Sequence, residues 1–221
     1  MKHFIPVFYF FYRFVFVVIM FLWTLIIGII GPLIDMATTP HLAHPIGSFW
    51  ARAAAKLIPM KVRVKGKENI KLDESYVVIV NHTSQSDILT IYGWFPSRFR
   101  WVMKKELTRI PGLGIGCQKA GHIIIDRFNP EASIDTINKA KKQIKNGVCV
   151  VFFPEGTRSK TGVLGKFKKG AFIFARDMKL PILPIIISGG RDIIPAKTFR
   201  LRPGTVKMKI QKPIYPDSKT I

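Results

Sequence analysis

The sequence predicts an α/β fold: a single domain with a largely parallel central sheet flanked by helices, plus a hydrophobic helical segment at the amino terminus. Beyond that segment, short apolar runs rich in β-branched residues alternate with stretches of helical periodicity. Such alternation is typical of α/β domains with parallel sheets. A chain of 221 residues is also long enough to bury one sizeable core. We therefore expect a membrane-anchoring segment at residues 1–36 and one domain at residues 37–221.

The first predicted element is an apolar segment from Phe4 to Ile34. Its part from Phe14 to Ile34 carries no charge and is long enough to cross a bilayer, which takes about 20 apolar residues. It exceeds the roughly 7 to 15 residues of a signal-peptide core, so we expect it to be retained. Two arrangements fit this segment: a single tilted span, or a bent helical pair dipping into one leaflet with breaks at Gly28, Gly31 and Pro32.

Positive charge is concentrated outside this segment. The formal net charge is +22, and residues 1–36 contain only Lys2, Arg13 and Asp35 as charged residues. A pI near 10.3 would permit binding to nucleic acid. The apolar amino terminus favours an anionic lipid surface instead, where each nearby Lys or Arg contributes about 1 kcal/mol. We therefore expect a membrane partner and no nucleic acid, with a merely solvated basic face as the alternative.

The basic residues also predict an orientation in the membrane. Those that closely follow the apolar segment are Arg52, Lys56, Lys61, Arg63, Lys65 and Lys67. They outnumber the two basic residues before it, so the positive-inside tendency puts the domain on the cytoplasmic face. In a bacterium this would be the inner membrane.

The predicted strands are short apolar runs. Five are expected to be buried: Tyr76–Val80, Arg100–Met103, Ile123–Ile125, Val148–Phe153 and Ile182–Ile187. The run Val206–Ile210 alternates charged and apolar residues, which predicts an edge strand. The clearest helix is Glu131–Asn146, which Gly147 would stop. Asn129 can cap this helix, and Pro130 fits its first position.

The sequence NHTSQSD at positions 81–87 predicts a general base. His82 and Asp87 lie five positions apart, directly after the strand predicted at 76–80. On one regular helix their side chains would point about 140° apart, so the spacing works only with His82 in a turn and Asp87 in the first turn of the next helix. Ser84 or Ser86 could cap that helix. Asp87 could then hold one imidazole nitrogen and leave the other free to take a proton from a hydroxyl.

Three candidate residues follow predicted strands directly: His82, Arg127 and Glu155. Ligand sites in α/β domains gather at the carboxyl ends of the strands. The sequence therefore predicts one shared pocket at that edge of the sheet.

Four ordered blocks carry a family resemblance: NHTSQSD at 81–87, GHIIIDR at 121–127, FPEGTRS at 153–159 and LPILPI at 180–185. Together they resemble the blocks of the glycerolipid acyltransferases, the 1-acylglycerol-3-phosphate O-acyltransferase (PlsC) family, from about Lys61 to Pro213. FPEGTRS is the most specific block. Thr83 stands where the family more often has Gln, a difference that leaves His82 and Asp87 untouched.

This resemblance implies an O-acyltransferase of phospholipid biosynthesis. A fatty acyl group would pass from an acyl thioester, acyl-coenzyme A or acyl carrier protein, to the free glycerol hydroxyl of lysophosphatidic acid. His82 would be the base and Asp87 its orienting partner, with no cofactor besides the acyl donor. Another lysophospholipid or a lyso-aminolipid stays open as the acceptor. The resemblance also favours the helical pair, because similar proteins carry one that seats the catalytic domain on the membrane.

Two arginines are candidates for holding the acceptor's phosphate. The guanidinium groups of Arg127 and Arg158 present paired donors that match phosphate oxygens. Asp126 offers Arg127 an alternative partner in a surface ion pair.

Five further residues complete the candidate substrate site. Gly156 lets the backbone approach a ligand, and Thr157 offers a hydroxyl. The resemblance implies that Glu155 orients an arginine or accepts from the glycerol hydroxyl. Lys104 or Lys105 could stabilise the oxyanion or the donor's phosphates, although a generic basic loop explains these two lysines equally well.

Three rival classes are less compatible with the sequence. A serine hydrolase could use Ser84, Ser86 or Ser159 with His82 and Asp87, but the chain has no G-x-S-x-G elbow. A non-enzymatic basic membrane adaptor explains the charge and the anchor but has no use for the ordered blocks. A metal enzyme is not indicated, because no His or Cys cluster has ligand spacing.

Overall fold

The protein is described by a computed structural model that covers residues 4–37, 43–126, 130–195, 198 and 200–216. Its helices are α1 (Phe4–Ala37), α2 (Ala43–Leu57), α3 (Ser86–Trp94), α4 (Leu113–Lys119), α5 (Pro130–Lys141), α6 (Gly170–Met178) and α7 (Gly190–Ile193). Its strands are β1 (Met60–Lys65), β2 (Val77–Val80), β3 (Phe99–Lys104), β4 (Ile123–Ile125), β5 (Cys149–Phe152), β6 (Ile182–Ser188) and β7 (Gly204–Ile210).

The strands form one seven-stranded sheet in the order β1-β7-β6-β2-β5-β3-β4. Neighbouring strands are parallel except for the antiparallel pair β6 and β7. The prediction of an α/β domain with a largely parallel sheet is therefore confirmed. All five predicted buried strands are present, with ends that differ by one residue at most.

The prediction for the run Val206–Ile210 is wrong in one respect. β7 lies between β1 and β6, and the edge belongs to β1, which the sequence analysis did not identify as a strand. The alternating pattern arises because helices cover only one face of this part of the sheet. Val206 and Met208 are buried whereas Lys207 and Lys209 are exposed. Alternation reports one-sided burial, and an internal antiparallel strand can have it as well as an edge strand.

The helix predicted at Glu131–Asn146 is shorter than expected. α5 begins at the predicted Pro130 but ends at Lys141, and Asn146 and Gly147 both have positive φ, 53° and 76°. The chain bends sharply there, and a Cβ on Gly147 would lie 2.1 Å from the carbonyl oxygen of Leu72. The predicted cap Asn129 lies outside the described residues.

The core has two layers, one on each face of the sheet. On one face, buried residues of β1, β2, β6 and β7 pack against α2 and α3, and Tyr12, Phe16 and Met20 of α1 join this layer. On the other face, Ala140 of α5 and Phe174 of α6 pack over β2 and β5. The side chains of β1 and β7 that point away from α1 and α2 are basic and exposed: Lys61, Arg63, Lys65, Lys207 and Lys209.

The amino-terminal segment forms a single helix, α1, and the bent pair that was one of the two arrangements expected within Phe4–Ile34 is not formed. α1 packs against α2, the first helix of the domain. α1 runs unbroken for 34 residues, so Gly28, Gly31 and Pro32 do not end it as predicted. Its stretch Tyr9–Ile30 is long and apolar enough to cross a membrane by length and composition.

α1 contacts the domain along its described length. The Tyr9 hydroxyl donates to the carbonyl of Leu201 at 2.6 Å, and the Tyr12 hydroxyl donates to the carbonyl of Leu57 at 2.7 Å. Further along, the Trp50 indole N–H donates to the Thr24 hydroxyl at 3.2 Å. The opposite side of α1 is exposed and apolar, and includes Phe10, Phe11, Phe14, Val15, Val18, Phe21, Leu22, Ile26 and Ile29.

Gly28→Ala should destabilise the protein, because the added Cβ would lie 2.1 Å from the carbonyl oxygen of Gly112. Overpacking costs about 1–3 kcal/mol, which more than offsets the roughly 1 kcal/mol that Ala gains over Gly in a helix. Thermal unfolding of the purified protein in detergent micelles measures the difference. The control is Ile29→Ala on the exposed side of the same turn, expected to change little. A Gly28→Ala protein as stable as the wild type would contradict this close helix contact.

Candidate active site

The two sequence blocks that contain His82 and Glu155 meet at one edge of the sheet. β2 and β5 are adjacent and parallel, with Ile79 opposite Phe152, so the residues after each strand reach the same place. His82 lies in the turn after β2, and Asp87 lies in the first turn of α3. The predicted layout of a turn histidine and a helix carboxylate is confirmed as geometry.

Asp87 fixes the tautomer of His82. Nδ1 of His82 lies 3.0 Å from Oδ2 of Asp87, and the same oxygen accepts the backbone N–H groups of Thr83 at 2.7 Å and Ser84 at 2.8 Å. Since Oδ2 is an acceptor for all three, Nδ1 carries the imidazole proton. The lone pair of Nε2 is then left free, and no hydrogen bond to Nε2 is found among the described residues. Asp87 itself is fully buried.

Ser84, one of the two serines predicted to cap α3, satisfies the first backbone N–H of that helix. Its hydroxyl accepts the N–H of Ser86 at 3.0 Å and donates to the carbonyl of Ile194 at 2.7 Å. Gln85, which directly precedes the helix, makes no side-chain cap. The carboxylate of Asp87 satisfies the two preceding N–H groups, so one side chain both closes the turn and holds the imidazole.

Aromatic packing holds the plane of the imidazole. The ring of His82 stacks on Phe153, with centroids 3.8 Å apart and planes 13° apart. Phe153 in turn stacks on Trp101 of β3 at 5.1 Å. With Nδ1 held by Asp87 and one ring face covered, the imidazole has little freedom to rotate.

Glu155 has a role that the sequence analysis missed. Its Oε1 accepts the backbone N–H of His82 at 2.8 Å, and its Oε2 accepts the backbone N–H of Gly165 at 2.8 Å. The carbonyl of His82 accepts the backbone N–H of Ser159, also at 2.8 Å. The peptide groups on both sides of His82 are thus clamped by the FPEGTRS block. No local sequence pattern predicts these contacts with His82, because the partners are more than 70 residues apart.

A cavity of about 450 Å³ opens beside His82. Its walls come from α1, α2, α3, β3, α4 and the loop after β5. The apolar and aromatic residues that line it include Ile27, Ile46, Trp50, Ile88, Trp101, Met103, Leu107, Leu113 and Phe153. Four of the predicted site residues line it besides His82: Lys104, Gly156, Thr157 and Arg158.

The other predicted residues have different surroundings. Lys105 is exposed and pairs with Asp126 at 3.3 Å, and it does not line the cavity. Arg127 lies outside the described residues. Arg158 forms no ion pair with a carboxylate in the described part of the chain, and it also borders a depression formed by residues 155–166 that contains Lys160 and Lys166. Gly156 has a positive φ of 72°, and a Cβ there would lie 3.0 Å from Cε of Lys168.

The arrangement does not support the rival serine hydrolase. Ser84 and Ser86 are fully buried, and their hydroxyls bond to each other at 2.9 Å. The Ser159 hydroxyl donates to the carbonyl of Val163 at 2.7 Å. None of the three hydroxyls is bonded to His82. As for metals, no group of three or more His, Cys, Asp or Glu able to hold an ion occurs among the described residues.

Residues 61–188 match the family model described as Acyltransferase. A chloroplastic 1-acyl-sn-glycerol-3-phosphate acyltransferase of Brassica napus is 35% identical over 175 residues, which are 78% of this chain and 50% of that protein. The 1-acyl-sn-glycerol-3-phosphate acyltransferase of Saccharomyces cerevisiae is 35% identical over 184 residues, 81% of this chain and 60% of that protein. The chain thus spans about half or somewhat more of the length of these relatives.

A solved structure is similar over nearly the whole chain. It is the crystal structure of the 1-acyl-sn-glycerophosphate (LPA) acyltransferase PlsC from Thermotoga maritima, with a TM-score of 0.84 and 26% identity. The match covers 98% of this chain and 89% of that one. The likeness therefore includes the amino-terminal helices as well as the sheet.

Glu155→Gln should loosen the backbone at His82. A carboxylate accepts from both N–H groups, whereas the amide of Gln can accept from only one and turns its own NH₂ toward the other. Hydrogen bonds to charged groups contribute about 1.5–3 kcal/mol, so amide exchange at His82 or Gly165 should become at least about tenfold faster. Hydrogen–deuterium exchange read by mass spectrometry over these segments measures this.

The control for this variant is Glu74→Gln. The Glu74 carboxylate accepts the hydroxyls of Tyr76 at 2.6 Å and Tyr215 at 3.2 Å, at the opposite end of β2 from His82. Exchange at His82 should stay at the wild-type rate in the control. Unchanged exchange in both segments of the Glu155→Gln protein would refute the clamp.

Proposed function

The chain belongs to the acyltransferase family, and we propose that it transfers a fatty acyl group from an acyl thioester to the free glycerol hydroxyl of lysophosphatidic acid, giving phosphatidic acid. The observation that carries the proposal is the held imidazole of His82. Its Nδ1 is bonded to Asp87, and its Nε2 is free at the wall of an apolar cavity. A histidine held in this way can serve as a general base toward a hydroxyl.

The proposed reaction is a direct transfer. Nε2 of His82 takes the proton of the glycerol hydroxyl as its oxygen attacks the thioester carbonyl. The C–O bond forms, the C–S bond breaks, and the proton passes from the imidazolium to the departing thiolate. A thioester is already activated, so no covalent intermediate on the protein and no further cofactor is needed. General base catalysis contributes about 10² to 10⁴ in rate.

The cavity is proposed to hold the acyl chain. Its lining is mostly apolar and aromatic, as in sites for lipid-like ligands, and His82 lies at its wall. The donor is either acyl-coenzyme A or acyl carrier protein. Lys104, exposed at the cavity, is the proposed contact for the thioester oxygen or the donor's phosphates. Lys105 is a weaker candidate because Asp126 already holds it.

Arg158 is proposed to bind the acceptor phosphate. It lines both the cavity and the basic depression of residues 155–166, so it lies between the base and a surface that attracts anions. A guanidinium can bind two phosphate oxygens at once. Thr157 and the backbone at Gly156 lie beside it in the same wall. Arg127 is a second proposed ligand for this phosphate, on the evidence of the sequence alone.

We propose that the enzyme acts at the membrane surface, with the domain on the cytoplasmic face. The exposed side of α1 is apolar, and Phe49 of α2 and Ile115 of α4 extend that surface. The other side of α1 is occupied by the domain, through Tyr9, Tyr12 and Thr24. A helix with one side on a folded domain is suited to lie in one leaflet rather than to cross the bilayer alone.

His82→Ala should reduce kcat by at least about 10² through loss of the base. Asp87→Asn should be milder, because some orientation of the imidazole survives. The assay uses the full-length protein in lipid nanodiscs, with a panel of lysolipids and both thioester donors. Lysophosphatidic acid should be the best acceptor. A His82→Ala protein that keeps more than about a tenth of the wild-type kcat would contradict the proposed mechanism. If the protein is a non-enzymatic adaptor, the wild type will show no transfer.

Arg158→Ala should reduce kcat/KM for lysophosphatidic acid by at least about tenfold, because charge-assisted hydrogen bonds contribute about 1.5–3 kcal/mol each. Arg158→Lys keeps the charge but loses the paired geometry and should fall between. The KM for the donor should change little.

The matched control is Lys160→Ala, a nearby cation that borders the depression but not the cavity. It should be close to wild type. A dephosphorylated acceptor should be poor with the wild type and hardly worse with Arg158→Ala. Equal losses on both acceptors would assign Arg158 a structural role.

A further inference from the structure

Part of the cavity wall carries a polar cluster that the proposed reaction does not use. The Tyr92 hydroxyl on α3 is hydrogen-bonded to Nε2 of His122, which lies directly before β4. Nδ1 of His122 accepts the backbone N–H of Trp101 at 3.2 Å. Tyr92, Trp101 and His122 all line the cavity.

The direction of the bond between Tyr92 and His122 follows from these contacts. A backbone N–H can only donate, so Nδ1 of His122 carries no proton. Burial, reinforced by the charges of Arg100 and His44, lowers the pKa of His122 to about 3, so the imidazole is neutral near pH 7. Its single proton is therefore on Nε2, and Nε2–H donates to the Tyr92 oxygen.

The Tyr92 oxygen accepts in this bond, so the hydroxyl proton of Tyr92 needs another acceptor. No acceptor for it is found among the described residues, and burial raises the pKa of Tyr92 well above its usual value, so the proton stays on. The indole N–H of Trp101 is directed at the same Tyr92 oxygen as a second donor, so it does not take up the hydroxyl proton. The nearby Cys117 thiol keeps its proton, because burial raises its pKa to about 12, and it is only a weak acceptor.

Packing holds the Tyr92 hydroxyl in place. The Tyr92 ring contacts Trp50, Phe99 and Trp101, with centroids 6.0 Å, 5.0 Å and 5.9 Å away. A Cβ on Gly47 would lie 2.6 Å from Cε1 of Tyr92, so α2 closes the remaining side of the ring. An otherwise apolar wall thus presents one fixed donor, the Tyr92 hydroxyl, with no acceptor among the described residues. This is an unfavourable arrangement unless a ligand supplies an acceptor.

We propose that the Tyr92 hydroxyl forms a subsite for an acceptor oxygen on the acyl chain, so that the enzyme prefers chains with a mid-chain oxo group over plain chains of equal length. The inference rests on the proposed function, which assigns the cavity to the acyl chain. An oxo oxygen accepts and has no proton of its own to place, so it complements a lone donor better than a hydroxyl does.

The position of the group along the chain follows from the stacked rings. Phe153 lies between His82 and Trp101, at centroid distances of 3.8 Å and 5.1 Å. Trp101 in turn contacts the Tyr92 ring, with centroids 5.9 Å apart. The subsite is therefore remote from the base, and an oxo group next to the thioester would not reach it. The preferred group is in the middle of the chain.

The first test measures binding, independently of transfer. The full-length protein in nanodiscs is titrated with fatty acids of equal length: one plain, the others with a single oxo or hydroxyl group placed successively along the middle of the chain. The best oxo acid should bind the wild type about three- to tenfold more tightly than the plain acid, as one neutral hydrogen bond predicts. The hydroxy acids should fall between.

Tyr92→Phe should bring the ratio of oxo to plain affinity close to one without weakening the plain acid. The control is Tyr76→Phe, which removes a buried hydroxyl that donates to Glu74 away from the cavity and should keep the ratio. Gly47→Ala is a second variant that leaves the hydroxyl but displaces the ring, and it should also lower the ratio.

Equal binding of all acids by the wild type would overturn the subsite, as would a preference that survives in Tyr92→Phe. Equal binding by the wild type together with tighter plain-acid binding by Tyr92→Phe would mean that a water molecule satisfies the donor, which also overturns it. A second assay measures transfer of a plain chain to lysophosphatidic acid. Failure there alone overturns the proposed function, whereas normal transfer without an affinity ratio overturns only the subsite.

Discussion

Two buried carboxylates accept hydrogen bonds from backbone N–H groups that lie outside the helices and strands. The geometry of the site depends on these hydrogen bonds. Asp87 accepts from the N–H groups of Thr83 and Ser84, and Glu155 accepts from those of His82 and Gly165. A buried carboxylate without donors and a buried loop without acceptors are each costly. Brought together, they stabilise each other, and the imidazole of His82 is fixed as a consequence.

The sheet brings the partners of these hydrogen bonds together. Because β2 and β5 are parallel neighbours, the turns that follow them leave the same edge side by side. The chain can therefore keep His82 and Asp87 in one local unit and bring Glu155 and Ser159 from another to hold it. Mutual clamping of two loops holds the imidazole more rigidly than either loop could alone.

The parts of this structure that were predictable are those set by local pattern. The apolar runs identified β2 to β6, and the spacing of His82 and Asp87 required a turn followed by a helix. Three features depend on pairings between distant segments, which no local pattern encodes: the position of β7, the presence of β1 at the edge of the sheet, and the role of Glu155. The net charge is also a poor guide to membrane attraction. Lys61, Arg63 and Lys207 lie on the sheet face opposite α1, so the net charge of +22 does not measure attraction to the bilayer that α1 would enter.

The amino-terminal helix has two roles that cannot be separated. Thr24, Ile27 and Gly28 of α1 line the cavity, while the other side of the same helix presents exposed apolar residues such as Phe21 and Ile26. Close approach of Gly28 to Gly112 sets how near this helix lies to α4, and therefore the width of the cavity between them. The surface that would enter the lipid and the wall that would contact the acyl chain are thus opposite sides of one rigid helix. Any displacement of α1 relative to the domain must change the shape of the cavity, so the proposed membrane seating and the proposed binding of the acyl chain would be mechanically coupled in this fold.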